Sequence, residues 1–329
     1  MSSVVISTRV RLARNLTGYP FPCKLSQQGR EDVIERVVSA VKNSNSVLAD
    51  DFSFINMSGL DQRQSVSLVE KRLVSPEFIS DPEGRALLLS KDESLSIMIN
   101  EEDHIRLQVI TKGLSLDEAY DTADKLDTLL DENLDFAFDE KLGYLTQCPT
   151  NLGTGMRASV MLHLPALEKS RAVSRIAGNL SKLGLTIRGA HGEGTEPKGA
   201  LYQLSNQVTL GISEKAAVEN LKNITAQLVA QEEQARERLC KSMDVQDTIA
   251  RSLGILKYAL VISHDEALKL LSNVRLGIAS GQIKDIGAET IDSLMTAVEP
   301  ATLSVAAGKS LSPHERDIER AKLIQKTLV

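Results

Sequence analysis

The chain has 329 residues, of which 42% are hydrophobic and 25% charged, a composition that is typical of a globular protein and excludes wholesale disorder. Its net charge is −6 and only 3% of its residues are aromatic, so neither bulk charge nor base stacking favours direct nucleic-acid binding. The apolar runs are too short to span a membrane and no signal-peptide pattern opens the sequence, so we expect a cytoplasmic protein. Three cysteines without a Cys-x-x-Cys pair and five histidines outside metal-ligand spacing predict no disulfide framework and no protein metal site.

The first two thirds of the chain mix strand-like runs with amphipathic helices. Apolar and polar residues alternate over 105–109, so this strand should bury one face and leave the other for polar work. Because strand-like runs follow each other directly over 94–110, we predict an α+β fold, an antiparallel sheet flanked by helices, rather than a doubly wound sheet. The predicted strands are 52–56, 85–89, 95–100, 105–110, 134–138 and 159–164, and the helices are 27–43, 61–73, 115–133 and 165–183.

The last third is predicted to be helical. Seven of the nine prolines precede residue 212, no glycine occurs between Gly211 and Gly254, and strong helix formers dominate from Ser213 onward. Further helices are predicted near 263–280, 287–298 and 312–328. We therefore predict two domains, a mixed domain over 1–212 and an all-α C-terminal domain over 213–329.

The first candidate binding motif is Ser-Thr-Arg-Val-Arg at 7–11. Arg9 and Arg11 are two residues apart, so in a strand their guanidinium groups point to the same face. Adjacent cations repel unless a dense anion such as a polyphosphate lies between them. A solvated basic strand at the edge of a sheet would have the same pattern.

The second motif, residues 100–106, joins two predicted strands and contains three successive acids. Such a cluster indicates a cationic substrate, a metal or a solvated turn, and the metal is disfavoured because the Glu101–His104 spacing occurs once, without the second copy of a helical di-metal motif. A carboxylate can orient a guanidinium group and accept its proton, which favours a cationic substrate.

The third motif lies at 148–159, where Gly153 and Gly155 allow a close backbone approach to a ligand and Arg157 begins a strand-like run. It is not a Walker A loop, because the Gly-Lys-Ser/Thr ending is missing. Cys148 is either a thiolate activated by nearby cations or a small buried hydrophobic residue.

The fourth motif is glycine-rich, with four glycines from residue 189 to residue 199 and Glu193 directly between Gly192 and Gly194. The pattern predicts a mobile loop, either a lid that excludes water or an ordinary hairpin loop. The fifth motif begins with a capping box at Ser312 and Glu315 and places Arg316 and Arg320 on one helix face, as either a phosphate site or a salt-bridged surface.

Together these motifs resemble the ATP:guanido phosphotransferase family, which includes the creatine and arginine kinases. The sequence at 203–211 and the Arg-Asp-x-x-Arg-Ala pattern at 316–321 resemble the bacterial branch that phosphorylates arginine side chains of proteins. The resemblance implies a guanido kinase catalytic domain with a glutamine-synthetase-like sheet, followed by a helical domain that mediates dimerisation and binds phosphoarginine. The matching segments are STRVR at 7–11, NEEDHIR at 100–106, CPTNLGTGMRAS at 148–159 and RGAHGEG at 188–194.

The resemblance also implies that arginines cradle the phosphates of ATP, while Mg²⁺ is held mainly by phosphate and water. The predicted ATP-binding residues are Ser7, Thr8, Arg9, Val10, Arg11, Arg72, Arg106, Arg157, Ala158, Ser159, Val160, Met161, Arg188, Gly189, Ala190, His191, Gly192 and Glu193.

For catalysis, the resemblance implies that Glu102 removes a proton from the attacking guanidinium group and that Glu193 clamps its opposite edge. Cys148 would adjust the local electrostatics, and Asn151 completes the predicted catalytic set. The predicted phosphoarginine-binding residues are Arg316, Asp317, Arg320 and Ala321.

The predicted activity is transfer of the γ-phosphoryl group of ATP to protein arginine. The implied partners are arginine-bearing substrate proteins, a heat-shock repressor, an activator protein and a Clp-type unfoldase–protease, and the implied assembly is a homodimer or higher oligomer. Two alternatives are a kinase for free arginine or another small guanidine and a non-catalytic regulator that binds phosphoarginine.

Overall fold

The computed structural model describes residues 4–44, 50–190 and 197–328, and its centre is an eight-stranded sheet. A separate two-stranded hairpin lies beside it. The strands of the large sheet are β1 (Val5–Arg14), β2 (Phe52–Asn56), β3 (Ala86–Ser90), β4 (Leu95–Ile99), β5 (Ile105–Lys112), β8 (Met156–His163), β9 (Leu185–Gly189) and β10 (Leu201–Asn206), and those of the hairpin are β6 (Phe138–Asp139) and β7 (Gly143–Tyr144).

The strand order of the large sheet is β2-β3-β4-β5-β1-β8-β10-β9, and every neighbouring pair is antiparallel. The first strand of the chain is therefore central, between β5 and β8. This arrangement confirms the predicted antiparallel α+β fold.

Helices surround the sheet and make up the last third of the described chain. In the described ranges they are α1 (Gln27–Lys42), α2 (Gln62–Glu70), α3 (Pro76–Ser80), α4 (Leu116–Asp131), α5 (Pro165–Lys169), α6 (Val173–Lys182), α7 (Glu214–Leu239), α8 (Met243–Tyr258), α9 (His264–Ala279), α10 (Ala288–Ala297), α11 (Pro300–Ala306) and α12 (Pro313–Leu328).

One face of the sheet forms the larger hydrophobic core. Val10 and Leu12 of β1 and Val160 of β8 are buried there against α1, α4, α6 and α7. Each fully buried aliphatic side chain of this kind contributes about 1.5–3 kcal/mol. Because side chains alternate along a strand, residues 9, 11 and 13 of β1 point to the opposite face, which this core leaves free for polar groups.

A second core joins helices α8, α9, α10 and α12 to the sheet. It contains Leu271, Ile291 and Ile324, together with Met161 of β8 and Leu201 of β10. The C-terminal helices therefore pack against the same side of the sheet as the polar face. Helix α7 packs into the first core, so the proposed division at 212/213 stays a prediction.

Two predicted elements differ from the structure. Over 134–138 the chain makes only an isolated bridge, Leu16 to Phe136, so the predicted strand there is wrong except for Phe138, which enters the small hairpin. The predicted helix 165–183 is two helices, because the backbone at Arg171 has a φ of 55° and interrupts the helical run. In the described ranges, no helix is both long and apolar enough to cross a lipid bilayer.

Candidate active site

The polar face of the sheet carries a cluster of arginines on three neighbouring strands. Arg9 and Arg11 lie on β1, Arg11 is directly opposite Arg157 of β8, and Arg106 of β5 is opposite Ala13. Opposed residues of an antiparallel pair share a face, so the four guanidinium groups project from the same side. We call Arg9, Arg11, Arg106 and Arg157 the arginine face.

Burial and mutual repulsion make this face electrostatically strained. Burial, followed by the charges of Arg72, Arg106 and Arg157, lowers the pKa of Arg9 to about 9. Burial, followed by the charges of Arg9, Arg106 and Arg157, holds the pKa of Arg11 well below its usual value, and the charge of Glu101 opposes this shift. The Nε atoms of Arg11 and Arg157 are buried without a hydrogen-bond partner among the described residues. Such a cluster is suited to a dense anion, which would satisfy these donors and relieve the repulsion.

Two polar side chains position members of the arginine face. Arg9 donates to Oε1 of Gln203 on β10 over 2.9 Å. Arg106 forms an ion pair with Glu101, 2.7 Å from Nη1 to Oε1, and Ser75 donates to the same carboxylate. Burial lowers the pKa of Arg106, but the charge and hydrogen bond of Glu101, together with the charges of Glu102 and Asp103, raise it, so the net shift is upward.

Arg72 joins the arginine face from outside the sheet. It follows α2 and has a φ of 64°, a left-handed conformation that reverses the chain direction toward the cleft. Its main-chain oxygen accepts a hydrogen bond from Nε2 of Gln108 on β5, 3.0 Å away. Burial lowers the pKa of Arg72, and the charge of Glu299 opposes this shift.

The other predicted nucleotide residues divide between the two faces of the sheet. Ser7, Ser159, Met161 and Ala190 line cavities above the arginine face. Arg188 and Gly189 lie on β9, where Arg188 pairs with Gln203 and contributes to the lowered pKa of Arg157. The side chains that point away are Thr8, which donates to Gly113 O, and the buried Val10, Ala158 and Val160.

Hydrogen bonds from other segments of the chain hold the acidic turn between β4 and β5, so it is not a plain solvated turn. Asp103 accepts hydrogen bonds from Asn15 Nδ2 at 2.6 Å and from Gln147 N at 2.8 Å, which ties the turn to the segment before Cys148. His104 is fully buried, and burial lowers its pKa to about 4. Glu102 remains half-buried between these anchored neighbours.

Glu102 and Cys148 meet at the end of the arginine face. Burial, and then the neighbouring Asp103 charge, raise the pKa of Glu102, while a hydrogen bond with the Cys148 side chain opposes the shift. The charges of both groups raise the pKa of Arg157, against the lowering effect of its burial. A carboxylate with a raised pKa is better matched to proton transfer near neutral pH than an ordinary glutamate.

The loop that carries Cys148 is held by backbone contacts. Cys148 Sγ is 3.0 Å from Oγ1 of Thr150, and Asn151 N donates to Cys148 O over 3.0 Å. A Cβ at Gly153 would lie 2.2 Å from the Thr209 carbonyl oxygen, and the φ of Gly153 is 108°. Only glycine fits this close approach, so Gly153 fixes the loop rather than serving a ligand directly.

Two adjoining cavities lie between the arginine face and the C-terminal helices. Each has a volume of about 460 Å³, and both are lined by Arg9, Arg72, Gln203, Asp292 and Thr296. Arg9, Arg11 and Arg106 of the arginine face thus form the floor of a cleft, and α10 is its opposite wall. Sequence patterns did not point to the α10 residues, because a polar helix face is ordinarily solvated.

Three predicted site residues, His191, Gly192 and Glu193, lie outside the described residues. For the part of the chain that is described, no group of three or more His, Cys, Asp or Glu side chains is arranged to hold a metal ion.

The predicted phosphoarginine motif lies on α12. Arg320 and Ala321 are buried, and Arg320 donates to Val298 O at 3.0 Å, to Ile262 O at 2.9 Å and to Asp317 Oδ1 at 2.6 Å. Arg316 is half-buried on the preceding turn. The motif thus anchors α12 to the chain around α10 and α9.

Comparison with known proteins shows two matching families that together cover most of the chain. Residues 32–235 match ATP:guanido phosphotransferase, C-terminal catalytic domain, and residues 242–329 match the protein-arginine kinase McsB C-terminal domain. A protein-arginine kinase of Halothermothrix orenii is 49% identical over 99% of this chain and 93% of its own length. Another, of Clostridium acetobutylicum, is 46% identical over 99% of this chain and 96% of its own length.

Solved structures share the fold of about 70% of the chain. The duplicated taurocyamine kinase from Schistosoma mansoni, with bound transition state analog components, has a TM-score of 0.63 and 31% identity over 70% of this chain, which spans 33% of that protein. Lombricine kinase has a TM-score of 0.63 and 25% identity, covering 70% of this chain and 67% of its own.

Proposed function

The chain belongs to the ATP:guanido phosphotransferase family, and from that membership we propose that it is an ATP-dependent protein-arginine kinase. The observation that carries the proposal is the meeting of the arginine face with the Glu102–Cys148 pair at Arg157. The first is suited to a polyphosphate and the second to a guanidinium group, so donor and acceptor would meet between them.

In this mechanism the arginine face and Arg72 bind the phosphates of MgATP. Magnesium keeps several waters and is commonly held by phosphate oxygens, which agrees with a phosphate site built from arginines. The arginines would also stabilise the charge that develops on the transferred phosphoryl group, the dominant contribution in phosphoryl transfer.

Glu102 is the proposed general base. A protonated guanidinium group is a poor nucleophile, so its proton must leave as the N–P bond forms. In the same step the bond between the γ-phosphorus and the β–γ bridging oxygen breaks, and ADP leaves. The proton would pass to the Glu102 carboxylate, whose pKa is raised by burial and by Asp103. Cys148 would hold the same guanidinium group from the side, and we propose Glu193 as the second carboxylate on its far edge.

The proposal is tested by incubating the protein with MgATP and either a denatured arginine-rich protein or free L-arginine. Because the P–N bond is acid labile, we expect phosphate on the protein that survives mild base and is lost in acid. Glu102→Gln should abolish this product, while Glu140→Gln, on the exposed connection between β6 and β7, should not. Phosphorylation of free arginine alone would instead support a small-guanidine kinase, and ATP binding without turnover would support a regulator.

We further propose that the protein forms a homodimer or higher oligomer. An exposed apolar surface follows the end of α8, where Tyr258 is 80% and Leu260 79% exposed, beside Ile255 and Val261. Large apolar patches of this kind commonly mark interaction surfaces. Replacing Tyr258 and Leu260 with serine should shift the protein to a monomer in sedimentation experiments.

The Arg316–Ala321 motif is proposed to bind phosphoarginine, on the basis of the resemblance and the paired cations of α12. Arg320 is buried and donates three hydrogen bonds, so its replacement would disturb the fold. Arg316→Ala is therefore the cleaner test. Binding of phosphoarginine should weaken in Arg316→Ala while the unfolding transition stays unchanged. Unaltered binding would reject this site.

The wider role we propose is that phosphoarginine marks proteins for a Clp-type unfoldase–protease and regulates a heat-shock repressor, aided by an activator protein. The support is the match to the McsB C-terminal domain and to named protein-arginine kinases. Cells lacking the protease should accumulate phosphoarginine on proteins, and cells expressing only Glu102→Gln should not.

A further inference from the structure

The cleft extends beyond what a triphosphate needs. The phosphate end is marked by Arg106 and Arg157, whose charges interact with Glu102, and Arg11 lies directly opposite Arg157. From Arg11 the same strand continues to Ser7, about 13 Å away at 3.3 Å per residue. The second cavity lies at that end of β1.

The lining of the second cavity changes in chemical character. Ile6, Ile110 and Met161 contribute apolar surface from the sheet, and hydroxyl and carboxylate groups come from α10. A mostly apolar pocket with a few convergent polar groups is typical of a site for a flat organic ligand. Arg9 and Arg72 line both cavities, so they mark the side at which the phosphate chain would enter the second one. The apolar surface and the hydroxyl groups beyond them are suited to a nucleoside.

Helix α10 divides its residues sharply between two environments. Ile291, Leu294 and Met295 are buried in the second hydrophobic core, and Val298 follows on the same side. The residues that line the second cavity recur at helical spacing on another face: Glu289, Asp292, Ser293 and Thr296.

The position of this polar stripe is fixed by a buried ion pair. Arg275 of α9 is 2% exposed, and its Nε lies 2.6 Å from Oδ1 of Asp292. Its Nη2 lies 3.2 Å from the other carboxylate oxygen. The two-point contact holds α10 against α9, so the helix face that carries Ser293 and Thr296 is positioned before a ligand arrives.

We propose that α10 is the wall that receives the nucleoside half of ATP, with the Ser293 and Thr296 hydroxyls hydrogen-bonding its base or ribose. This inference rests on the proposed function, since it places the triphosphate on the arginine face. It assigns nucleotide affinity to the C-terminal helices, in addition to the sheet that carries the phosphate-binding residues.

The test compares ATP with inorganic tripolyphosphate, which carries the phosphate chain but no nucleoside. The variant is Ser293→Ala with Thr296→Val, which removes two hydroxyls at nearly constant shape. The matched control is Thr290→Val, on the same helix but outside the residues that line the two cavities. The full-length protein is assayed for KM and kcat with ATP and for inhibition by tripolyphosphate.

We expect the double variant to raise the KM for ATP roughly tenfold, from two lost hydrogen bonds, with kcat little changed. Inhibition by tripolyphosphate should stay within twofold of wild type, as should every property of Thr290→Val. A KM for ATP within twofold of wild type would overturn the inference, and so would equal weakening of ATP and tripolyphosphate. If the wild-type protein neither binds ATP nor transfers its phosphate, the proposed function fails as well.

Discussion

Arg11 of β1 and Arg157 of β8 lie directly opposite each other on adjacent antiparallel strands. Like charges at opposed positions of a sheet destabilise it, and Arg157 is among the charges that lower the pKa of Arg11. The fold therefore keeps an unfavourable pairing in its central strands. The pairing becomes favourable once an anion with several negative charges lies between the two guanidinium groups.

This relationship predicts that Arg157→Gln lowers activity without lowering stability. Removing one charge should leave the free energy of unfolding unchanged or raise it by about 0.5 kcal/mol, because repulsion across the sheet is lost. Phosphoryl transfer should fall by about 10² or more, because a donor to the transferred group is lost. Thermal unfolding with and without MgATP measures both effects, since only the wild type should gain strongly from the ligand.

The exposed Arg175 of α6 gives the matched control for this prediction, as Arg175→Gln removes the same charge away from the cleft. It should keep both activity and ligand stabilisation. An Arg157→Gln protein that is less stable than wild type yet fully active would contradict the account of the arginine face.

Much of the fold follows from local patterns. The predicted helices 27–43 and 115–133 correspond to α1 and α4, and the alternation at 105–109 lies within β5. These segments are long or strictly periodic, so local sequence determines them strongly. The strand β10 was not predicted, because polar residues such as Gln203 and Ser205 interrupt its apolar run while its pairing with β8 and β9 supplies the stability.

The site was only partly predictable for a related reason. The i, i+2 spacing places Arg9 and Arg11 on one face, and the family resemblance added Arg106 and Arg157. The register that sets Arg11 against Arg157 depends on long-range pairing, which no local pattern encodes. The same holds for Glu101, whose role as the partner of Arg106 emerges only when the turn folds back on β5.

Glu102 should set the acidic limb of the pH–rate profile. Burial and the charge of Asp103 raise its pKa above the ordinary value of a glutamate, about 4.3. As the pH is lowered, activity should therefore begin to decline before the pH reaches that ordinary value. Below the raised pKa the carboxylate is protonated and cannot accept the guanidinium proton. Asp103→Asn should move this limb to lower pH by removing one raising charge, as measured by kcat/KM across pH. A limb that stays in place in Asp103→Asn would argue against Glu102 as the titrating base.

Glu70 connects the sheet side of the cleft to the C-terminal helices. Its carboxylate, at the end of α2, accepts hydrogen bonds from Ala301 N at 2.9 Å and Thr302 N at 2.7 Å, at the start of α11. Glu70→Ala should cost about 1–3 kcal/mol of unfolding free energy, since two half-buried main-chain donors at a helix start lose their acceptor. Denaturant unfolding measures the loss, with the exposed Glu83→Ala as the control that should change little. Equal stability of the two variants would show that α2 and α11 do not depend on this contact.

His104 should make the fold sensitive to acid. It is buried, its Nδ1 accepts from Leu16 N at 3.0 Å, and its Nε2 lies 3.0 Å from Pro20 O, so the neutral ring is required. Burial lowers its folded pKa to about 4, whereas the unfolded value is about 6.5. Between these values the unfolded chain binds the proton that the folded state excludes, so stability present above pH 6.5 is lost as pH falls.

The expected loss from His104 between pH 7 and pH 5 is about 2 kcal/mol. His104→Gln lowers stability at pH 7 by disturbing both contacts, but it should lose about 2 kcal/mol less than wild type on moving to pH 5. Denaturant unfolding at the two pH values measures this difference, and the exposed His314→Gln should follow the wild type. If His104→Gln and wild type lose the same free energy over this interval, the buried neutral ring at His104 is not the source of the acid sensitivity.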